Sequence, residues 1–205
     1  MKPVLLFIDD DGIERNSCVK VLREIFADET VSVQAAAPLP SLAEYAELVG
    51  RGNVAAFIID QRLNTSGDAP YSGVELASYL RSIGSRLPVV ILTNYPKDDF
   101  SDRSWAVEYI LQKRDTLHDP KGVAARDFKL RLLRQIASSS NVLAERERRF
   151  HDLLVKSFRE RLSAEEESEL RQLEGDRIAP VAASEREQHL KLDADIDMLK
   201  KLLKD

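Results

Sequence analysis

The chain has 205 residues, 43% hydrophobic and 32% charged, the balance of a globular protein with room for one ordinary domain and an appendage. A formal net charge of -5 argues against a general nucleic-acid binder, and no stretch approaches the ~20 consecutive apolar residues that span a membrane. Cys18 is the single cysteine, so there is no intrachain disulfide and no thiolate cluster, and a cytoplasmic location is expected.

The run Val4–Ile8 stops on Asp9, Asp10 and Asp11 and reads as a buried strand. From Ile13 to about Ala27, the residues Cys18, Val21, Leu22, Ile25 and Phe26 recur at helical spacing. Residues 30–36 suit a second strand. Ser41 and Glu44 then have the spacing of a capping box, which predicts a helix over 42–49. The apolar run Val54–Ile59 ends on Asp60 and predicts a third strand buried on both faces. A loop over 61–72 comes next, and Gly73 opens a helix whose apolar face is Val74, Leu76, Ala77, Leu80 and Ile83. Pro88 leads into a fourth strand ending on Thr93 and Asn94. A short helix is expected within 96–107, anchored by Trp105, then a fifth strand over 109–111 that ends at Gln112 and Lys113. Asp119 followed by Pro120 has the pattern of a helix start, with Phe128, Leu132, Leu133 and Ile136 lining that helix.

Parallel strands need helical, right-handed crossovers, so five strands alternating with helices predict an α/β fold: a doubly wound five-stranded parallel sheet in the order 2-1-3-4-5, over residues 1–137. The polar run 138–141 marks a boundary, and 142–205 carries almost no strand signal. Phe150, Leu153, Leu154, Phe158 and Leu162 form a helical stripe over 142–162. Ser163 and Glu166 make a second capping-box pattern for a helix ending near Gly175. After Pro180, Ser184 is placed to cap a last helix with Leu192, Ile196, Leu199 and Leu203 in a coiled-coil-like seam. An all-α extension of this kind is expected to fold into an intrachain hairpin, with some stripe left for a homodimer or a protein partner. The charged residues of 145–149 and 165–174 read as solvated helix faces with i,i+4 pairs.

Asp9, Asp10, Asp60, Thr93 and Lys113 end strands one, three, four and five, and so share one edge of the sheet, where such folds bind ligands. Carboxylates grouped with one lysine suit a divalent cation such as Mg²⁺, which neutralises charge on a moving phosphoryl group. Asp60 is then a carboxylate nucleophile, Lys113 a cationic clamp and Thr93 a hydroxyl donor. Each group also has a plainer reading: the first three aspartates as helix caps, Thr93 and Asn94 as turn residues, Lys113 and Arg114 as surface charge.

The set as a whole resembles the response-regulator receiver domain of two-component signalling. The resemblance rests on Asp9 and Asp10 after an apolar strand, Arg15 beyond them, Asp60 at the end of strand three, Gly73-Val74-Glu75-Leu76 opening the next helix, Thr93, and Lys113. It implies that Asp60 accepts a phosphoryl group from a histidine kinase or phosphotransfer protein, with Asp9, Asp10, Asp60 and the Arg62 main-chain carbonyl holding Mg²⁺. This chain departs from the family pattern in an enlarged loop over 61–72, in Arg114 after the lysine where proline is common, and in Ile110 at the place of the aromatic switch residue. Tyr109 is one residue earlier and, by strand alternation, faces the other way.

Past residue 140 there are 13 Lys plus Arg against 16 Asp plus Glu, and no helix-turn-helix with a basic recognition helix. The expected output is protein–protein contact through the C-terminal helices, with neither nucleic acid nor membrane as partner and no turnover of an external substrate. Alternatives are a phosphotransfer relay or phosphate sink, with His151 a remote candidate carrier, and an adaptor that keeps the fold without being phosphorylated.

Overall fold

The computed structural model describes residues 2–50, 52–67, 69–95 and 104–202, with side chains described up to 179 except that of Ser104, and at 182, 183, 185, 186 and 189 beyond it. Strands β1 (Val4–Ile8), β2 (Ser32–Ala36), β3 (Val54–Ile59), β4 (Val89–Thr93) and β5 (Tyr109–Gln112) form one parallel sheet in the order β2-β1-β3-β4-β5. This is the expected doubly wound order, in which the crevice at the carboxyl ends of β1 and β3 is the topological switch point.

Strand alternation sorts the core into two layers. Leu6, Ile8, Phe57, Ile59 and Ile91 pack on one face with Tyr45 of α2 (Tyr45–Gly50) and with Leu76 and Leu80 of α3 (Gly73–Ser82). Leu5, Phe7, Ala56, Ile58 and Leu92 pack on the other, against Leu22 of α1 (Gly12–Ile25) and Phe128 and Leu132 of α5 (Val123–Ser157). β1 and β4 are buried along their whole length, as strands covered by helices on both faces must be. Tyr109 packs into the α1/α5 layer and Ile110 into the α3 layer, so the tyrosine does face away from the position of a switch residue.

Several local expectations give way to packing. Ser41 makes no capping bond; its Oγ is buried without a partner, and a 3₁₀ turn, Leu42–Glu44, precedes α2. Of the helix expected within 96–107, residues 96–103 lie outside the described residues, and the remainder holds a 3₁₀ turn, Ser104–Ala106. Trp105 is 66% exposed and is no anchor there; its neighbour Ala106, at 0%, is what the turn packs inward. Lys113 opens a short helix, α4 (Lys113–Leu117), and α5 starts at Val123, past the expected start at Asp119 and Pro120. Asp119 Oδ1 accepts the Lys121 N–H at 2.9 Å and so closes a turn instead of capping the helix.

The C-terminal part is simpler than expected. α5 is 35 residues long and passes unbroken through 138–141, where a domain boundary was expected, and Ser139 Oγ donates to the Arg86 carbonyl at 2.9 Å. The Ser163–Glu166 capping box forms, Glu166 N–H donating to Ser163 Oγ at 3.2 Å and Ser163 N–H to Glu166 Oε2 at 3.1 Å. The helix it starts, α6 (Ala164–Leu202), runs through Gly175, Pro180 and Ser184, so the two helices expected here are one. Helix-breaking preferences are weak against tertiary packing: α6 crosses the sheet domain, with Ala183 against the α2/α3 core layer and Ala179 beside Gly84.

α5 and α6 form an antiparallel intrachain hairpin. Its buried residues include Leu153, Leu162 and Leu173, whereas Phe158, expected in the stripe, is 81% exposed at the turn that ends α5. The charged runs do more than face solvent: Arg149 makes a two-pronged bond to Glu169 (2.9 and 2.7 Å), Lys156 binds Glu166 (2.8 Å) and Arg146 binds Asp176 (2.6 Å) across the helices. The side chains of Leu192, Ile196, Leu199 and Leu203 lie outside the described residues. No helix among the described residues is long and apolar enough to cross a membrane.

Candidate functional site

The site forms where β1, β3, β4 and β5 end. Asp9 is 1%, Asp60 6%, Thr93 0% and Lys113 4% exposed, and burying ionic groups this deeply demands partners. Lys113 Nζ supplies them, donating to Asp9 Oδ2 at 2.7 Å and meeting Asp60 Oδ1 at 2.8 Å, with Glu14 Oε2 at 3.3 Å. Burial works to lower the pKa of the Lys113 ammonium, but Asp60 and Asp9 more than reverse this and hold it above the ordinary lysine value. Burial pushes the Asp9 carboxyl above its ordinary range, over the opposing pull of Lys113.

Main-chain groups fix the remaining oxygens. Asp9 Oδ1 accepts the Asp11 N–H at 3.0 Å, and Asp60 Oδ2 accepts the Arg62 N–H at 2.7 Å. Arg15 ties the β1–α1 turn by donating to the carbonyls of Asp9 (2.5 Å) and Asp10 (3.3 Å). The three consecutive aspartates divide their work: Asp11 caps α1, its Oδ1 accepting from Ile13 N (2.8 Å) and Glu14 N (3.0 Å), while Asp9 and Asp10 serve the site. Those two bonds hold the Asp11 carboxyl below the usual range.

Above these groups opens a cleft of about 660 Å³ whose walls include Asp10, Asp60, Arg62, Tyr95 and Lys113. Asp9 and Thr93 are not on the wall. Thr93 Oγ1 accepts the Tyr95 N–H at 3.0 Å, and the hydroxyl proton is what remains for Thr93 to offer. At the mouth the Arg62 guanidinium lies 3.4 Å from the centre of the Tyr95 ring, a cation–π contact. His151 lies in α5, remote in sequence from every residue of the cleft wall.

The structure thus brings Asp9, Asp60 and Lys113 into direct contact and sets Asp10 and Arg62 on the wall beside them. The donor set fits Mg²⁺ in kind: hard carboxylate oxygens around one ammonium, at a cleft open to phosphate. Among the described residues no group of three or more His, Cys, Asp or Glu side chains is arranged as a metal cage, but Mg²⁺ is commonly held by only one or two carboxylates, completed by water and phosphate oxygens. Asp10 and Asp60 face the cleft and meet that requirement.

Sequence reading did not single out Glu14, which contacts Lys113 and accepts from Asn94 Nδ2 at 2.6 Å, or the backbone amides of Thr65 and Ser66, which donate to Asp10 Oδ2 at 2.9 and 2.7 Å. The first could have been found from its place one turn into α1; the second carries no residue-type signal. Nor did it single out the capping box of Ser72 with Glu75, whose Ser-x-x-Glu spacing stands in the sequence: Glu75 Oε2 accepts the Ser72 N–H at 2.8 Å at the head of α3.

No family model and no curated protein matches the chain. Solved structures similar to it include a response regulator from Thermotoga maritima in complex with Mg²⁺ and BeF (20% identity, 65% of this chain and 98% of that one, TM-score 0.46). A response-regulator receiver-domain protein from Clostridium thermocellum is 16% identical over 68% of this chain and 98% of its own, with TM-score 0.47. A DNA-binding response regulator of the LuxR family from Staphylococcus aureus is 14% identical over 67% and 98%, with TM-score 0.45. The chain's own strand order and crossovers establish that it has the doubly wound fold of response-regulator receiver domains, extended by a C-terminal helical hairpin.

Proposed function

We propose that the chain is a two-component response regulator that is phosphorylated on Asp60 and signals through protein contacts of its C-terminal helices. The observation that carries the reading is the contact of Lys113 Nζ with both Asp9 and Asp60, at 2.7 and 2.8 Å, at the switch point of the sheet and on an open cleft. A surface lysine pair needs no such burial, and a helix cap needs no lysine.

In the proposed reaction an Asp60 carboxylate oxygen attacks the phosphorus of a phosphohistidine on a kinase or phosphotransfer protein. The O–P bond forms as the P–N bond breaks, the electron pair leaves with the imidazole, and the imidazole takes a proton from solvent. Asp60 ends as an acyl phosphate. Lys113 orients the ionised carboxylate beforehand and compensates charge on the phosphoryl oxygens afterwards, and Thr93 offers its hydroxyl proton to one of them. Of the groups expected to hold Mg²⁺, Asp10 and Asp60 line the cleft and would supply the carboxylate oxygens together with the Arg62 main-chain carbonyl, Asp9 acting behind them through Lys113; the cation when bound neutralises charge on the transferred group. The protein turns over no external substrate in this reading, and its partners are the phosphodonor and a protein or second copy engaged by the helices, with neither nucleic acid nor membrane involved.

The test is incubation with acetyl phosphate, or with beryllofluoride as mimic, in the presence of Mg²⁺. The wild type should gain one phosphoryl group that hydroxylamine or alkali removes, or the corresponding spectral change, and Asp60→Asn should not. An equal response in Asp60→Asn, or none in the wild type, would overturn the assignment.

A further inference from the structure

The loop over 61–72 is longer than a plain strand-to-helix connection, and it is built, not slack. At its base the Gly73 N–H donates to the Gln61 carbonyl at 2.8 Å and the Val74 N–H to Gln61 Oε1 at 3.2 Å. Along its course Leu63 is 0%, Ala69 3% and Tyr71 4% exposed, each packed in the α2/α3 core layer. Tyr71 also donates its hydroxyl to the Leu39 carbonyl at 2.5 Å. At the tip the consecutive amides of Thr65 and Ser66 converge on one oxygen, Asp10 Oδ2, at 2.9 and 2.7 Å, the arrangement of an anion-holding nest. Beyond it Gly67 has φ +84°, a left-handed conformation that turns the chain back and that glycine adopts without strain. Nearer the base, the Arg62 N–H holds Asp60 Oδ2.

We infer that this loop is a backbone clamp that positions Asp10 for the cation, and that Thr65 and Ser66 act through their main-chain N–H groups to set the affinity of the site. The inference rests on the phosphoacceptor reading above. The two N–H groups occupy Oδ2 and orient the carboxylate, leaving Oδ1 as the oxygen Asp10 presents. Carboxylate ligands are ordinarily held by such outer hydrogen bonds, and losing them weakens metal binding about 10- to 100-fold. A loop that gated the site by releasing Asp10 would have to move, whereas this one is anchored by buried side chains on both sides of its tip, Leu63 before it and Ala69 and Tyr71 after it. One segment therefore fixes two of the wall carboxylates, Asp60 through Arg62 and Asp10 through Thr65 and Ser66.

The experiment is Mg²⁺ titration by calorimetry of the full chain and of Thr65→Pro, Ser66→Pro, Thr65→Ala and Ser66→Ala, with thermal melts recorded alongside. Proline removes the amide donor and should weaken Mg²⁺ about 10- to 100-fold; alanine keeps the donor, so each alanine variant should bind Mg²⁺ more tightly than the matching proline variant. Proline variants that fold and bind Mg²⁺ as well as the wild type, or more tightly, overturn the clamp. If the proline variants do not fold, the wild type decides: its Thr65 and Ser66 amide protons should stay protected from exchange at saturating Mg²⁺, and loss of protection on Mg²⁺ binding overturns the clamp in favour of a gate. A wild type that binds no Mg²⁺ overturns the phosphoacceptor reading and the clamp with it, an outcome distinct from equal binding by wild type and variants.

Discussion

Lys113 lies beyond β5 and Asp60 beyond β3, yet Lys113 Nζ sits 2.8 Å from Asp60 Oδ1, reaching across the end of the one strand, β4, that separates them in the sheet. The same nitrogen holds Asp9, so one ammonium compensates two carboxylates that are 1% and 6% exposed. Removing it leaves both buried without their partner. Lys113→Met should lower the unfolding free energy at pH 7 by roughly 3–5 kcal/mol, the usual consequence of breaking a buried pair from one side. The loss also has a pH dependence of definite sign. In the wild type the raised Lys113 pKa contributes stability that is complete below the ordinary lysine value of about 10.4 and is lost only as pH rises through the folded value. In the variant Asp9, whose carboxyl burial already pushes up, loses the opposing pull of Lys113 and binds its proton more tightly folded than unfolded, so the deficit should shrink as pH falls. Urea unfolding at pH 7 and pH 5 measures both; a deficit that is absent, or that grows in acid, contradicts the arrangement.

Gly73 opens α3 directly against the strand end that carries Asp60. A Cβ at this position would stand 2.3 Å from the Asp60 carbonyl oxygen and 3.1 Å from Gln61 Cα, both of them backbone that cannot swing aside. Gly73→Ala should therefore destabilise by roughly 1–3 kcal/mol, as overpacking does, and should slow labelling of Asp60 by acetyl phosphate. Gly175→Ala serves as the control, since nothing lies within 4 Å of a Cβ there. Equal stability of Gly73→Ala and the wild type would show that the helix and strand are not packed as described.

Leu153 is 1% exposed in α5, in the part of the helix that pairs with α6. Leu153→Ala should cost about 2–5 kcal/mol of stability to the unit it belongs to, through lost burial and the cavity left behind. Phe158→Ala should cost much less because Phe158 is 81% exposed. Chemical denaturation of both variants checks the order. The reverse order would mean that the hairpin packs on a different face.

Cys18 is 8% exposed, and burial pushes its thiol from the ordinary 9.0 up to about 11. At pH 8 roughly one thiol in a thousand is then thiolate, the reactive form. A thiol-exchange reagent should label the native protein far more slowly than the urea-unfolded chain. The folded state holds this proton more tightly than the unfolded one, so the linked contribution to stability is present below pH 9 and declines as pH climbs toward 11. Cys18→Ala should lack that decline. Prompt native labelling at pH 8 would place Cys18 at the surface.

The sequence by itself determined what depends on local periodicity and on strand ends. Val4–Ile8, Val54–Ile59 and Val89–Thr93 were readable as buried strands because a strand covered on both faces must be apolar throughout. Strand order and crossover rules then brought Asp9, Asp60, Thr93 and Lys113 to one sheet edge. The split in the core layers was legible for the same reason, as was the direction of Tyr109: side chains alternate, whatever lies opposite them.

Only the tertiary structure decided who pairs with whom. The amides that hold Asp10 belong to residues 65 and 66, and a backbone N–H is the same group in every residue but proline, so no sequence pattern announces it. Trp105 and Phe158 look like anchors by composition and stand exposed, since burial depends on whether a neighbouring surface has room. Ser41 has capping-box spacing but makes no capping bond, Ser163 has it and does, and α6 continues through Gly175 and Pro180. Capping and breaking preferences of about 1–3 kcal/mol are small beside the contacts of a helix that docks along a domain, and those contacts come from residues far away in the chain.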